Sequence, residues 1–320
     1  MGSKTVVRPP RLAPGSRVAL VAPAGPLLER DDLTRGEELC RALGYEPVLG
    51  PNAGRHYGYL AGTDDERVAD LNAALRDPRI DAVWCLRGGY GITRILDRVD
   101  FEALERRPRA VIGFSDITAL LNAAHQRTGV VTFHGPMSRS SLSPFSRWHL
   151  DRILAAINPA GQLGRIAPPA DVLVPGDDRI VTLRAGTAEG PLKGGNLSLL
   201  QCLIGTRYFP DLDSAILFIE DVGEDLYSVD RMLAHLRMTG ALRNLAGVAV
   251  GRFTELKRGT GEGALGFDEV LATYLLPLNV PVAYGFPIGH IDDQWTLPIG
   301  VKARLDATAG ELEIIEGAVR

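Results

Sequence analysis

Ala110-Val111-Ile112-Gly113-Phe114-Ser115-Asp116, running on through Ile117-Thr118-Ala119-Leu120-Leu121-Asn122-Ala123-Ala124, places a serine where an apolar run gives way to a helix-like one. A short apolar run bounded by glycine reads as a buried strand, and the residues after Asp116 read as a helix. A strand that turns directly into a helix is the working unit of a parallel α/β sheet, so this stretch decides the fold class. It also raises a chemical question. A serine at such a turn can have its hydroxyl in a cleft, facing the partial positive charge of a helix start, which suits a nucleophile. Serine is equally a favoured N-cap residue, whose oxygen satisfies a free backbone N–H, and these residues alone leave both roles open.

Outward from Ser115 the alternation continues. Strands are expected at residues 18–22, 46–49, 82–86, 110–113 and 130–133, with helices at 31–43 and 64–75 between them. Gly44 stops the first of these helices, and Thr63 with Glu66 three residues on forms a capping box at the start of the second. The expected fold is an N-terminal Rossmann-like domain with a parallel sheet, over residues 1–160. Ligands of such sheets sit outside the carboxyl ends of the strands, and the Pro23-Ala24-Gly25, Arg87-Gly88-Gly89 and Ser115 turns all fall there.

Beyond a helix at 145–157, turn formers crowd together in Asn158-Pro159-Ala160-Gly161, Pro168-Pro169 and Pro175-Gly176. They mark residues 161–184 as a linker with the first strands of a second domain. Residues 185–320 are expected to form a C-terminal mixed α/β, strand-rich domain, with the active site between the two. Strands are expected there at 180–183, 215–219 and 248–251, helices at 226–239 and 268–276, and a closing β-hairpin from 301–306 and 311–315 around Ala309-Gly310. There is no internal repeat or heptad.

Composition narrows the function. At 320 residues the length suggests about two domains, and 45% hydrophobic with 23% charged residues describes a globular chain, not a disordered one. A net charge of −4, with no dense Lys/Arg stripe, gives no case for nucleic acid or an anionic membrane surface as partner. The polar start of the chain has no apolar signal region and no apolar run reaches a bilayer-spanning length, which implies a cytoplasmic protein. Cys40, Cys85 and Cys202 are scattered, and the six histidines form no HxxxH or HExxH pattern, so neither a metal nor a cofactor is expected.

Three further segments carry chemistry. Arg87-Gly88-Gly89-Tyr90-Gly91 follows the apolar run Val83-Trp84-Cys85-Leu86, and glycines there let backbone N–H groups approach a phosphate or a developing oxyanion. The third glycine of a dinucleotide fingerprint is missing, and a plain tight turn explains the glycines as well. Phe218-Ile219-Glu220-Asp221 puts two acids at the end of an apolar strand, where a carboxylate suits the orienting of a histidine or, equally, a cap or ion pair. Pro287-Ile288-Gly289-His290-Ile291-Asp292-Asp293 holds a loop histidine fit for general base work or a bystander role, with His134 in Phe133-His134-Gly135-Pro136 as its rival. Ser115, Glu220 and His290 follow the chain order of α/β-hydrolase triads, but Ile117 stands where the elbow G-x-S-x-G has its second glycine.

These segments, with Gly194-Gly195-Asn196-Leu197, Asp230-Arg231-Met232-Leu233 and Gly285-Phe286, resemble in order the serine peptidase family that includes murein LD-carboxypeptidases and microcin C self-immunity peptidases. The resemblance covers nearly the whole chain. It implies a metal-independent Ser115-Glu220-His290 triad, an oxyanion hole from the backbone N–H groups of Gly89 and Asp116, and a homodimer. It also implies hydrolysis of the L,D-bond that releases terminal D-alanine from muropeptide tetrapeptides in peptidoglycan recycling. For such a substrate Arg87 could pair with the terminal carboxylate, Asn196 donate to a carbonyl, and Tyr90 and Trp295 wall the pocket; a surface ion pair, a helix cap and simple packing are the corresponding plain roles. The other branch of the family cleaves peptidyl or aminoacyl sulfamoyl adenylates, with an aromatic on a longer insertion stacked on the base. Residues 139–176 hold Phe145 and Trp148 but no long aromatic-bearing insertion, which favours the murein reading. A non-catalytic small-ligand binder on the same fold is the third alternative, and the intact triad speaks against it.

Overall fold

The computed structural model describes residues 4–138, 142–155, 165–166, 179–257 and 264–320. The turn formers expected at 158–161, 168–169 and 175–176 lie outside the described residues, as does most of the segment screened for an insertion. In chain order the elements are β1 (Arg17–Val21), α1 (Asp32–Ala42), β2 (Glu46–Leu49), α2 (Asp64–Arg76), β3 (Ala82–Cys85), α3 (Ile92–Ile95), α4 (Phe101–Arg106), β4 (Ala110–Gly113), α5 (Thr118–Thr128), β5 (Thr132–His134) and α6 (Pro144–Ala155). There follow β6 (Arg165–Ile166), β7 (Val181–Arg184), β8 (Thr187–Asn196), α7 (Leu197–Leu203), β9 (Ile216–Val222), α8 (Leu226–Met238), β10 (Gly247–Thr254), α9 (Phe267–Leu275), β11 (Val282–Tyr284), β12 (Leu297–Ile299), β13 (Lys302–Asp306) and β14 (Glu311–Ile314). They divide into two compact units, one of residues 1–157 with 295–300 and 318–320, the other of residues 158–294 with 301–317.

The first unit is built on a six-stranded sheet in the order β12-β5-β4-β3-β1-β2. β1 to β5 run parallel, and only β12 is antiparallel, against β5. β3 and β4 are buried along their whole length, so their sequences read as unbroken apolar runs. The expected capping box opens α2: Glu66 N–H donates to Thr63 Oγ1 at 3.3 Å and Thr63 N–H donates to Glu66 Oε2 at 2.8 Å. The order reverses between β1 and β3, so the turns after these two strands flank the switch point where doubly wound sheets bind ligands. β5 begins later than expected because Val7 claims the residues before it, donating to Gly129 O and accepting from Val131 N–H, both at 2.9 Å.

The second unit carries a mixed eight-stranded sheet in the order β6-β14-β13-β8-β9-β10-β11-β7. β8, β9, β10 and β11 pair in parallel, and β13 with β14 forms the expected closing hairpin. Leu217, Ile219, Val248 and Val250 of the central strands pack with Val229, Leu233 and Leu271 of α8 and α9 in one apolar cluster. The sequence expectation misses β8, which is the longest strand of the sheet. Its Thr187-Ala188-Glu189-Gly190-Pro191-Leu192-Lys193-Gly194-Gly195-Asn196 has little β-propensity. Two of its glycines are needed for contact: a Cβ would lie 2.2 Å from Ser214 O at Gly190 and 1.8 Å from Phe218 O at Gly194. β12 was also missed, being only three residues long with Pro298 in the middle, which an edge strand tolerates.

Candidate active site

Within the first unit the chemistry gathers on Ser115. This residue has a φ of 61°, a left-handed backbone that non-glycine residues seldom take, directly after extended Phe114. Strain of that kind is kept where the surrounding structure fixes it, and here two nearby glycines, Gly113 and Gly88, leave the turn its room. A Cβ on Gly113 would sit 2.8 Å from Ile117 Cγ2, and one on Gly88 would sit 2.9 Å from Ser115 Cβ and 3.3 Å from the Asp116 nitrogen. The glycine turn after β3 therefore lies directly against the serine, and any larger residue at position 88 would push it away. No side chain caps this helix start: a 3-10 turn over Ser115–Ile117 leads into α5, whose cap position is held by Ile117.

A buried polar strut ties the two turns together. The Asp116 carboxylate, 1% exposed, accepts the Ile92 N–H at 2.9 Å, just past the glycines. Burial pushes this carboxyl up to about 6, while the Ile92 bond and the Arg67 charge pull it back. The fully buried Arg67 donates to Gly91 O at 2.9 Å, to Pro23 O and to Asp64. Gly25 N–H donates to Gly88 O at 2.8 Å, and Arg87 donates to Pro26 O, so all three turns at the sheet's carboxyl end are locked to one another. Gly89, at φ 97°, and Tyr90 stand on the exposed side of the turn.

Two other residues of this unit were singled out by sequence. His134 ends β5 fully buried, with its ring edge-on to Phe114 at 5.9 Å. Trp295 is fully buried and stacked on His149, ring centroids 6.1 Å apart. The His149 Nδ1 accepts the Thr296 N–H at 3.0 Å, and burial lowers this imidazole to about 3, so it is a neutral packing partner.

Within the second unit Glu220 and His290 meet. β9 carries Glu220 and Asp221 on opposite faces, and the fully buried Glu220 Oε2 accepts from His290 Nδ1 at 2.8 Å. Burial raises the Glu220 carboxyl, and its hydrogen bond to His290 works against that rise. The His290 side chain is 21% exposed. Gly289 makes the approach possible: it has φ 121°, and a Cβ there would be 2.8 Å from Glu220 Oε2. Gln294 donates to Gly289 O and steadies the loop.

Asp221, the second acid of the pair, has a different task. It accepts from Asn196 Nδ2 at 2.8 Å, from Ser198 N–H at 3.0 Å and from Ser198 Oγ at 2.7 Å. Asn196 also caps α7 by accepting the Leu199 N–H at 3.3 Å, and it pairs in register with Glu220 across β8 and β9. Sequence reading missed Ser198, the Asp116 carboxylate and Arg67. The Asn196-Leu197-Ser198 spacing, two hydrogen-bonding side chains at a helix start, was the available signal for the first.

Comparison with known proteins identifies the family and the fold. Residues 18–135 match the LD-carboxypeptidase N-terminal domain and residues 189–305 the LD-carboxypeptidase C-terminal domain. The murein tetrapeptide carboxypeptidase of Pseudomonas aeruginosa is 36% identical, covering 91% of this chain and 93% of its own. A probable murein peptide carboxypeptidase of Bacillus subtilis is 37% identical, over 98% and 95%. Among solved structures, the muramoyltetrapeptide carboxypeptidase from Oxalobacter formigenes superposes with a TM-score of 0.81 at 31% identity, over 95% of this chain and 99% of that one. The microcin C7 self-immunity protein shares the fold, with a TM-score of 0.88 at 24% identity over 98% and 100%.

Proposed function

Given that the chain belongs to the LD-carboxypeptidase family, we propose that it is a serine peptidase that removes the terminal D-alanine from muropeptide tetrapeptides by hydrolysing an L,D-bond. The observation that carries this reading is the His290 Nδ1 to Glu220 Oε2 bond of 2.8 Å, made to a carboxylate with no exposure. A buried acid on Nδ1 holds the ring orientation and leaves Nε2 to take a proton. Ser115 is the residue that would give that proton up. Its hydroxyl attacks the scissile carbonyl, His290 passes the proton to the leaving amine, and water then releases the acyl group by the same route. The N–H groups of Asp116 and Gly89 receive the oxyanion, an arrangement worth about 10²–10³ in rate per donor. Arg87 is assigned to the terminal carboxylate of the substrate. The family resemblance further supports a homodimer.

The test is direct. Purified protein is incubated with a muropeptide tetrapeptide and, separately, with a peptidyl sulfamoyl adenylate, and the products are read by mass spectrometry. D-Alanine release that disappears in Ser115→Ala supports the proposal. Cleavage of the adenylate alone would overturn the substrate, and unchanged release by the variant would overturn the nucleophile.

A further inference from the structure

Two tyrosines stand out from the surface of the first unit. Tyr59 is 68% exposed and Tyr90 47%, yet their rings meet edge to face at 5.7 Å, so they form a corner and not two separate side chains. The corner is held from behind. Tyr59 lies in a tight hairpin closed by reciprocal bonds between Tyr57 and Leu60, N–H to O at 2.8 and 3.0 Å. Leu60 is 3% exposed and packs on the glycine loop: a Cβ on Gly91 would lie 2.8 Å from Leu60 Cδ2. Ala61 N–H donates to Ala24 O at 2.9 Å, tying the hairpin to the turn after β1. Beside the rings, Arg94 donates through Nε and Nη2 to Asp64 at 2.9 and 2.8 Å, giving the corner a polar edge of both charges.

A rigid exposed aromatic corner with fixed polar neighbours is the form a recognition site takes, because aromatic rings give contact area at small entropic cost. Its place sets what it can recognise. Tyr90 is two residues beyond Gly88, which touches Ser115, so its Cα is at most about 7.6 Å from that of Gly88. The Tyr59 ring centroid lies 5.7 Å from that of Tyr90. The corner therefore stands close to the serine turn, within reach of the roughly 10 Å of three extended residues, the length of peptide on the acyl side of the bond cut in a tetrapeptide. The leaving alanine offers only a methyl and a carboxylate, far too little for two rings. What stands at the far end of the acyl side in a muramoyl peptide is an amino sugar, with an apolar C–H face and a rim of hydroxyl and amide groups.

We propose that Tyr59 and Tyr90, edged by Arg94 and Asp64, form a subsite for the muramoyl sugar of the substrate. The assignment rests on the muropeptide reading above and adds a glycan specificity to it. The ring face of the sugar lies in the tyrosine corner, and its polar rim meets the Arg94–Asp64 fork.

The experiment compares kcat/KM for the N-acetylmuramoyl tetrapeptide with that for the free tetrapeptide, in the parent, Tyr59→Ala and Tyr59→Phe. Loss of one aromatic face lowers the ratio of the two by about 3- to 10-fold in Tyr59→Ala, and Tyr59→Phe restores it. A ratio unchanged in Tyr59→Ala overturns the subsite, as does a loss confined to a sulfamoyl adenylate substrate. Thermal unfolding of each variant separates this effect from damage to the fold, since misfolding lowers both rates together and leaves the ratio alone. If the parent cleaves neither peptide, the muropeptide reading fails, and the subsite is then judged by saturation-transfer NMR with N-acetylmuramic acid alone. Signal with the parent that is lost in Tyr59→Ala upholds it; equal signal or none refutes it.

Discussion

At position 116 one residue serves two ends. Its N–H is assigned to the oxyanion, and its buried carboxylate holds Ile92 and so the glycine turn. Because burial raises that carboxyl from 3.8 to about 6, the folded protein holds the proton more tightly than the unfolded chain does. Stability from this group is therefore fullest below about pH 3.8 and is lost as pH rises through about 6, to the extent of roughly 3 kcal/mol at about 1.4 kcal/mol per unit. Asp116→Asn keeps an acceptor for Ile92 but cannot ionise. Urea unfolding at pH 4.5 and 7.5 should show the parent losing stability relative to this variant as pH rises. His149, lowered to about 3, works in the opposite sense, adding stability as pH rises toward 6.5, but it is common to both proteins and cancels in the difference. A relative gain by the parent at pH 7.5 would contradict the assignment.

Gly289 poses a sharper local test. Alanine there would have both the φ of 121° and the 2.8 Å approach to Glu220 Oε2 against it. Gly289→Ala is expected to cost about 1–3 kcal/mol in stability and to reduce kcat far more than it raises KM, since it displaces the His290–Glu220 pair. Steady-state kinetics with chemical denaturation measure both. The serine turn was legible in sequence because strand, glycine and helix each leave a pattern. The left-handed φ of Ser115 was not, because no residue type at positions 113–117 announces it.

Among the elements of the second unit, β8 and β9 do most to position Glu220. They run in parallel with Asn196 opposite Glu220, and the chain turns into α7 at that register. Asn196→Ala removes both the cap on Leu199 and the donor to Asp221, so a loss of about 1–3 kcal/mol is expected, read as a fall in the thermal midpoint. β9 was legible as an apolar run ending in acids. β8 was not, because tertiary contacts choose its residues: the glycines that weaken its β-propensity are the ones that let its backbone approach Phe218 and Ser214. Pairing along a sheet is non-local, and a window of sequence does not contain it. The short β12 fails for the same reason, since it is defined by β5, more than 160 residues earlier in the chain.

Across the whole molecule, the proposed nucleophile belongs to one compact unit and the acid and base to the other. The family landmarks stand in order along the chain, which is why the family could be read before the fold was known. The chain's division was less legible, because residues 295–300 and 318–320 return to the first unit after the second has begun. Among the described residues no helix is long and apolar enough to cross a membrane, and no group of three His, Cys, Asp or Glu side chains could hold a metal ion.

The central claim is that Ser115 and His290 act as one catalytic unit, and a double-mutant cycle on D-alanine release tests it most directly. Residues that act together are strongly non-additive, so Ser115→Ala, His290→Ala and the double variant should all fall to a similar residual rate, each at least about 10⁴-fold below the parent. Two independent losses that multiply in the double variant, or substantial turnover in Ser115→Ala, would contradict the account.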